Sequence, residues 1–222
     1  MINVYLVRHG QASAGTDNYD RLSPVGIRQA QLLGDFWKQQ DFNIDAAFSG
    51  TLQRQQHTAE LALASVSKAP KLITQEALNE YDHASIDHLY GNGLNSDLAL
   101  DFTFNQYLDI MTRWRDAGER HSDKTMSWQT FSMLGWNALQ KTVASHEKQD
   151  ANLVFFTSGG VIASIVMHTL ELKFDFAMRS LWQTRNASIT RLLFDEFGAC
   201  VVNKNTIPHL ELHFDPTLDT QI

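Results

Sequence analysis

The sequence is poor in cysteine, in basic clusters and in long apolar runs, and each shortage excludes a class of function. Its one cysteine, Cys200, leaves no intramolecular disulfide and no cysteine-based metal cluster. Lys and Arg number 18 against 25 Asp and Glu, for a net charge of −7. No basic run interrupts that balance, which argues against a nucleic-acid partner while leaving room for a locally positive pocket. The longest apolar stretch, Val161 to Leu170, is broken by Ser164 and His168 and is too short to span a bilayer. The chain enters an apolar strand without the basic and then hydrophobic pattern of a leader, so it is expected in the cytoplasm, away from membranes. Internal repeats and low-complexity segments are also missing.

What is present is ordinary globular composition, 43% hydrophobic and 10% aromatic, enough for one sizeable core. A single domain over residues 1–222 is expected. Residues 2–7 read as a short buried strand ending in Arg8-His9-Gly10. Ser23-Pro24 opens a helix, with Ser as cap and Pro at the first helical position. Ile27, Ala30, Leu33 and Trp37 follow at helical spacing. Ala46–Phe48 is a second strand, a helix from about Thr51 to Ser65 carries Arg54, and Lys71–Thr74 is a third strand. From about residue 83 to 150 the pattern turns helical, over Asp97–Ala117 and Met126–His146, and is read as an insertion. Asn152–Thr157 is the clearest core strand. Ser158-Gly159-Gly160 makes its turn, a helix runs on to about Leu170, and Ser188–Phe194 with Val201–Asn203 suits a closing hairpin. This alternation predicts an α/β fold, a three-layer α/β/α sandwich around a mostly parallel sheet. The helical insertion lies over its mouth.

In open α/β sheets, ligands bind beyond the carboxyl ends of the strands. The loops leaving those ends are Arg8-His9-Gly10, Ser49–Arg54, Leu78–Asp82 and Thr157–Gly160. Together they offer an imidazole nucleophile, two guanidiniums, carboxylates as proton donors and backbone amides. Those are the parts that phosphoryl transfer needs. Gly159-Gly160 lacks the Lys and Ser/Thr of a nucleotide-binding P-loop, which disfavours ATP.

Leu6-Val7-Arg8-His9-Gly10, Leu22-Ser23-Pro24 with Gly26, Gln29 and Ala30, and Phe48-Ser49-Gly50-Thr51-Leu52-Gln53-Arg54 with Thr58-Ala59 and Glu80 follow in order. As a set they resemble the histidine phosphatase superfamily, the group that includes cofactor-dependent phosphoglycerate mutases. The resemblance implies a phosphoglycerate mutase-like fold and a phosphatase that acts through a phosphohistidine on His9. It makes Arg8 and Arg54 clamps for the phosphoryl oxygens and Glu80 the proton donor, with Asp82 as an alternative donor. Gln11 and Ser13 are further pocket candidates, because they follow the nucleophile. No metal and no organic cofactor is implied; the expected partner is a small phosphorylated substrate or inorganic phosphate.

One element departs from the family pattern. Where that pattern has a second histidine before two glycines, this chain has Ser158, followed by Gly159. A serine hydroxyl donates one hydrogen bond to a phosphoryl oxygen, aided by the glycine amides, but carries no charge. Losing a charge-assisted donor costs roughly a hundred- to thousand-fold in rate. Three readings follow: a phosphatase of reduced activity, a phosphate-ligand binding or regulatory protein, or rescue by another histidine, His57 or His83. Phosphoglycerate mutase is the weaker enzymatic alternative. His83, Asp87 and His88 are read as an ordinary polar segment rather than a metal site. Tyr81, Tyr90 and Phe104 either contact an apolar leaving group or pack. Trp114, Trp128, Trp136 and Trp182 are read as packing.

Overall fold

The structure, a computed structural model, describes residues 1–13, 19–91, 102–118, 125–146 and 150–221. The first strand, β1 (Ile2–Arg8), is followed by α1 (Pro24–Gln39), β2 (Ala46–Ser49), α2 (Gln53–Leu63) and β3 (Leu72–Thr74). The stretch that leads to the fourth strand holds α3 (His83–Tyr90), α4 (Phe104–Ala117) and α5 (Trp128–Ala144). Then come β4 (Ala151–Thr157), α6 (Gly159–Leu170), α7 (Phe174–Trp182), β5 (Ile189–Asp195), β6 (Gly198–Thr206) and the short α8 (Pro208–Glu211).

The six strands form one sheet in the order β3-β2-β4-β1-β5-β6. The β2–β3, β2–β4 and β1–β4 ladders are parallel; β1–β5 and β5–β6 are antiparallel. Only β5 therefore runs against the rest, and the sheet is mostly parallel, as the sequence pattern predicts. Period-2 alternation divides its side chains between two faces. Val4, Leu6, Leu153 and Phe155 point to one core, which α5, α6 and α7 cover. Val7, Val154 and Phe156 point to the other, against Leu33 and Trp37 of α1 and Ala59 and Ala62 of α2. Both faces are buried, which is why the central strands read as unbroken apolar runs.

Local chemistry sets the helix boundaries. Ser23 caps α1 by accepting from the Gly26 amide, with Pro24 at the first position. The helix expected from residue 97 begins at Phe104, where Thr103 and Gln106 make a capping box; residues 97–101 lie outside the described residues. The predicted start at Thr51 moves to Gln53, because Leu52 is extended. The sequence reading contains neither α3 nor α7. The first is eight residues started by an Asp82 cap, and the second is nine residues with no side-chain cap. Among the described residues, no helix is long and apolar enough to cross a membrane.

His209, on α8, is fully buried, with neither ring nitrogen partnered among the described residues. Burial, with a smaller push from His213, lowers its pKa to about 3. Its folded pKa lies below the unfolded value near 6.5, so the unfolded chain takes up a proton that the folded chain refuses. The stabilisation is complete above the unfolded pKa and is lost as pH falls towards the folded one. Thermal unfolding followed from pH 7 down to pH 4 should show a falling Tm, with a shallower fall in His209→Leu. Parallel profiles for the two proteins would contradict this reading of His209.

Candidate active site

The carboxyl ends of β1, β2 and β4 lie side by side, and a cavity of about 430 Å³ opens beyond them. Arg8, His9, Arg54, Glu80 and Asp82 line it. The parallel register brings them together. Arg8 pairs with Thr157 at the end of β4, and β4 in turn pairs with Ser49, which starts the loop towards Arg54.

His9 is buried and its backbone is held on every side. Its amide donates to the Thr157 carbonyl at 2.9 Å, and its own carbonyl accepts from the Ala187 amide at 3.1 Å. Gly10 N–H donates to Thr58 Oγ1 at 3.0 Å, and that hydroxyl donates to the Arg54 carbonyl at 2.6 Å. Gln11 N–H donates to Gln29 Oε1 at 2.8 Å, while Gln29 Nε2 reaches the Leu218 carbonyl at 2.8 Å. Gln29 and Thr58, conspicuous in the sequence pattern, thus hold the nucleophile loop. Gly10 and Gly26 meet backbone to backbone: a methyl on either would strike the other segment's main chain.

The imidazole tautomer follows from its two neighbours. Nδ1 lies 2.8 Å from the Gly10 carbonyl, which can only accept, so Nδ1 carries the proton. Nε2 accepts from Arg54 Nε at 3.2 Å and so carries no proton. Burial, then Arg54, then Arg8 push the His9 pKa well below the usual histidine value, so the ring stays neutral.

Arg8 is buried too. One guanidinium nitrogen, Nη1, donates to the Thr184 carbonyl, while Nε has no partner among the described residues. Gly159 packs beside this guanidinium, within 3.7 Å of Nε for an added methyl. Arg54 is fixed by Asp20, which accepts from Nη1 at 2.7 Å and also from the Gln53 amide at 2.8 Å, capping α2. The Tyr19 ring sits 5.4 Å from the Arg54 guanidinium. No sequence reading singled out Asp20; its signal is tertiary.

The two carboxyl candidates are set apart by their surroundings. Glu80 accepts from the Gly160 amide at 2.8 Å and the Tyr81 amide at 3.2 Å, yet burial outweighs these bonds and the arginines and raises its pKa. Asp82 caps α3, accepting from Ser85 Oγ at 2.6 Å and Ser85 N–H at 3.2 Å, and these bonds lower its pKa. The Gly160 amide is therefore occupied by Glu80.

Ser158 is fully buried and does not line the cavity. Its hydroxyl accepts from Gln55 Nε2 at 2.8 Å, and the same amide group donates to the Leu78 carbonyl at 2.9 Å. Thr157 Oγ1 donates to that carbonyl as well, at 2.6 Å. These bonds tie the end of β4 to the loop that carries Glu80. Gln11 and Ser13 are not on the lining either: Gln11 Oε1 accepts from Ser23 Oγ at 2.7 Å, and the Ser13 amide donates to the Arg21 carbonyl at 2.8 Å.

His83, first residue of α3, is on the cavity lining with its ring 4.2 Å from that of Tyr81. Burial, then Arg54 and Arg8, lower its pKa to about 4. His57 lines a different cavity, beside Arg21 and Glu60. Trp182, read from the sequence as packing, is on the lining, as are Phe102 and Tyr107; Tyr90 and Phe104 are not. Among the described residues, no group of three or more His, Cys, Asp or Glu side chains is placed to hold a metal ion.

A family model for the histidine phosphatase superfamily (branch 1) matches residues 4–206. A 2,3-bisphosphoglycerate-dependent phosphoglycerate mutase from Methylorubrum extorquens is 32% identical over 119 residues, 50% of this chain and 49% of the mutase. The chain spans about half the length of the curated relatives it matches. A phosphoglycerate mutase structure from Bacillus anthracis gives a TM-score of 0.68 at 18% identity, over 96% of this chain and 97% of that one. A phosphoserine phosphatase from Entamoeba histolytica, in complex with 3-phosphoglyceric acid, gives 0.67 at 18% identity, over 95% of this chain and 100% of its own. At such identities the likeness is one of fold.

The Gly10–Gly26 contact predicts that Gly26→Ala destabilises the protein by about 1–3 kcal/mol, since main chain cannot swing aside as a side chain can. Denaturant unfolding of wild type and variant measures this; equal midpoints would mean that the helix and the nucleophile loop are not in forced contact.

Proposed function

The chain belongs to the histidine phosphatase superfamily (branch 1), and on that premise we propose that it is a phosphomonoester hydrolase working through a phosphohistidine on His9. The observation that carries the proposal is the state of the imidazole. A neutral ring whose Nδ1 proton is committed to the Gly10 carbonyl offers Nε2 to phosphorus, beside a guanidinium.

In the first half-reaction Arg54 Nε turns from Nε2 to a phosphoryl oxygen, and the freed lone pair forms the N–P bond as the ester P–O bond breaks. Glu80 gives its proton to the departing alkoxide oxygen. Arg54, and Arg8 through its unpartnered Nε, stabilise the equatorial oxygens. In the second half-reaction Glu80, now a carboxylate, takes a proton from water. The water oxygen forms the new P–O bond, the N–P bond breaks, and inorganic phosphate leaves. Glu80 suits this task better than Asp82, because its pKa is raised whereas that of Asp82 is lowered.

We assign Ser158 the position of the family's second pocket histidine and a supporting role: with Gln55 it braces the Glu80 loop. The second imidazole in the pocket is then His83, which enters from α3 and offers an N–H to a phosphoryl oxygen. This reading favours an active phosphatase over a protein that only binds phosphate. Hydrolysis is favoured over mutase activity because, Arg8 and Arg54 aside, no Lys or Arg lines the cavity among the described residues. A phosphoglycerate carboxylate finds no partner there.

His9→Ala should abolish hydrolysis of every phosphate monoester. Glu80→Gln should lower kcat/KM roughly a hundred-fold or more on an alkyl phosphate but far less on 4-nitrophenyl phosphate, whose leaving group needs no proton. For the alkyl ester, kcat/KM should fall as pH rises through the raised Glu80 pKa. The lowered His9 pKa keeps the nucleophile neutral well below pH 6.5. Hydrolysis equal in wild type and His9→Ala would overturn the proposal.

A further inference from the structure

Away from the phosphate-facing groups, the cavity changes character. It runs between α3, α4 and the end of α7, where Ile86, Tyr107, Ile110, Met111 and Trp182 form the wall and Phe102 the edge. Ile86, Ile110 and Met111 are at most 2% exposed in total, the cavity side included. The Trp182 ring lies 5.2 Å from that of Tyr107 and 5.9 Å from that of Phe102. The hydroxyl of Tyr107 is directed to Tyr81 Oη at 3.4 Å and the sulfur of Met178 at 3.9 Å. The polar tip of that tyrosine is therefore engaged inside the protein, and its ring faces the cavity wall.

The charges tell the same story. Beyond Arg8 and Arg54 the ionisable carboxyl groups on the described lining are those of Glu80, whose burial favours the protonated form, and of Asp82 and Asp87. His83 is neutral down to about pH 4. Residues 14–18 and 92–101, which precede Tyr19 and Phe102 in the chain, contain no Lys or Arg either. A second anionic group on the leaving alcohol thus meets carboxyl groups and, among the described residues of the lining, no cation besides the two arginines that hold the phosphoryl group. Moving a charge into such surroundings without a partner is costly, whereas an apolar or aromatic group gains by leaving water.

We propose that the substrate of this site is the phosphomonoester of an uncharged, apolar, ring-bearing alcohol, and that esters whose alcohol carries a carboxylate, such as phosphoserine and 3-phosphoglycerate, are poor ligands. The proposal rests on the phosphatase reading for its chemistry and on the cavity wall for its selectivity. The ring lies against Trp182 and Tyr107, and the phosphoryl group reaches His9 between the two arginines.

The test separates binding from catalysis. 2-Phenylethylphosphonate and 2-carboxyethylphosphonate, which cannot be hydrolysed, are titrated into the protein by calorimetry. In parallel, 2-phenylethyl phosphate and phosphoserine are assayed with wild type and His9→Ala. Neither alcohol is an activated leaving group, so a preference in kcat/KM reports recognition. The phenyl ligand should bind about tenfold or more tightly than the carboxylate, the scale that an apolar pocket delivers. Trp182→Ala should erase most of that ratio, and Phe102→Lys should tighten 2-carboxyethylphosphonate binding. The second variant keeps the test informative if the first fails to fold. Equal affinities, or a tighter carboxylate ligand, would overturn the substrate class while His9-dependent hydrolysis still upheld the phosphatase. A phenyl preference without any His9-dependent hydrolysis would sink the phosphatase and leave the ligand class standing.

Discussion

The hydrogen bond from His9 Nδ1 to the Gly10 carbonyl is the constraint on which the rest of the site depends. It holds only because the Gly10 backbone has no freedom to turn: its amide is bound by Thr58, and its Cα faces the main chain of Gly26. With Nδ1 committed as donor, Nε2 is the basic nitrogen and sits on the cavity. Around that fixed atom the fold places each further group by a separate connection. β1 brings Arg8, α2 brings Arg54 with its Asp20 brace, and the loop before α3 brings Glu80.

Electrostatics then divides the labour. Burial acts on both His9 and Glu80, but with opposite consequences, because it disfavours the charged form of each. The imidazole stays neutral to low pH, and the carboxyl keeps its proton to higher pH. Two buried guanidiniums within a chain of net charge −7 make the phosphate end of the cavity locally positive. Asp20 tethers one of them without lining the same cavity, so the positive potential remains available to an anion.

Much of this was legible in the sequence, for a physical reason. Arg8-His9-Gly10 and Thr157–Gly160 sit at the ends of apolar runs, and a parallel register sends such ends to the same edge. The Ser23-Pro24 helix start and the Arg54 helix were readable from local chemistry as well. What could not be read arrives by tertiary contact. Asp20 lies 34 residues from the arginine it holds, and Gln55 is 103 residues from Ser158. Ser158 was expected among the phosphate contacts; it lies buried off the cavity lining, where its hydroxyl accepts from Gln55. Trp182 was read as packing; as the last residue of α7, a helix that no side-chain cap announces, it stands on the cavity lining. His57 and His83 were indistinguishable in sequence; the Asp82 cap, by starting α3 at His83, places that ring in the cavity.

The central claim is that His9 Nε2 takes up the phosphoryl group. The direct measurement is an acid-free quench during turnover of a phosphate monoester, followed by mass spectrometry and phosphorus NMR of the denatured protein. One phosphoryl group on His9, attached at Nε2 and absent from His9→Ala, is the predicted result. Turnover with an unmodified His9, or with phosphate attached at Nδ1, would contradict the account.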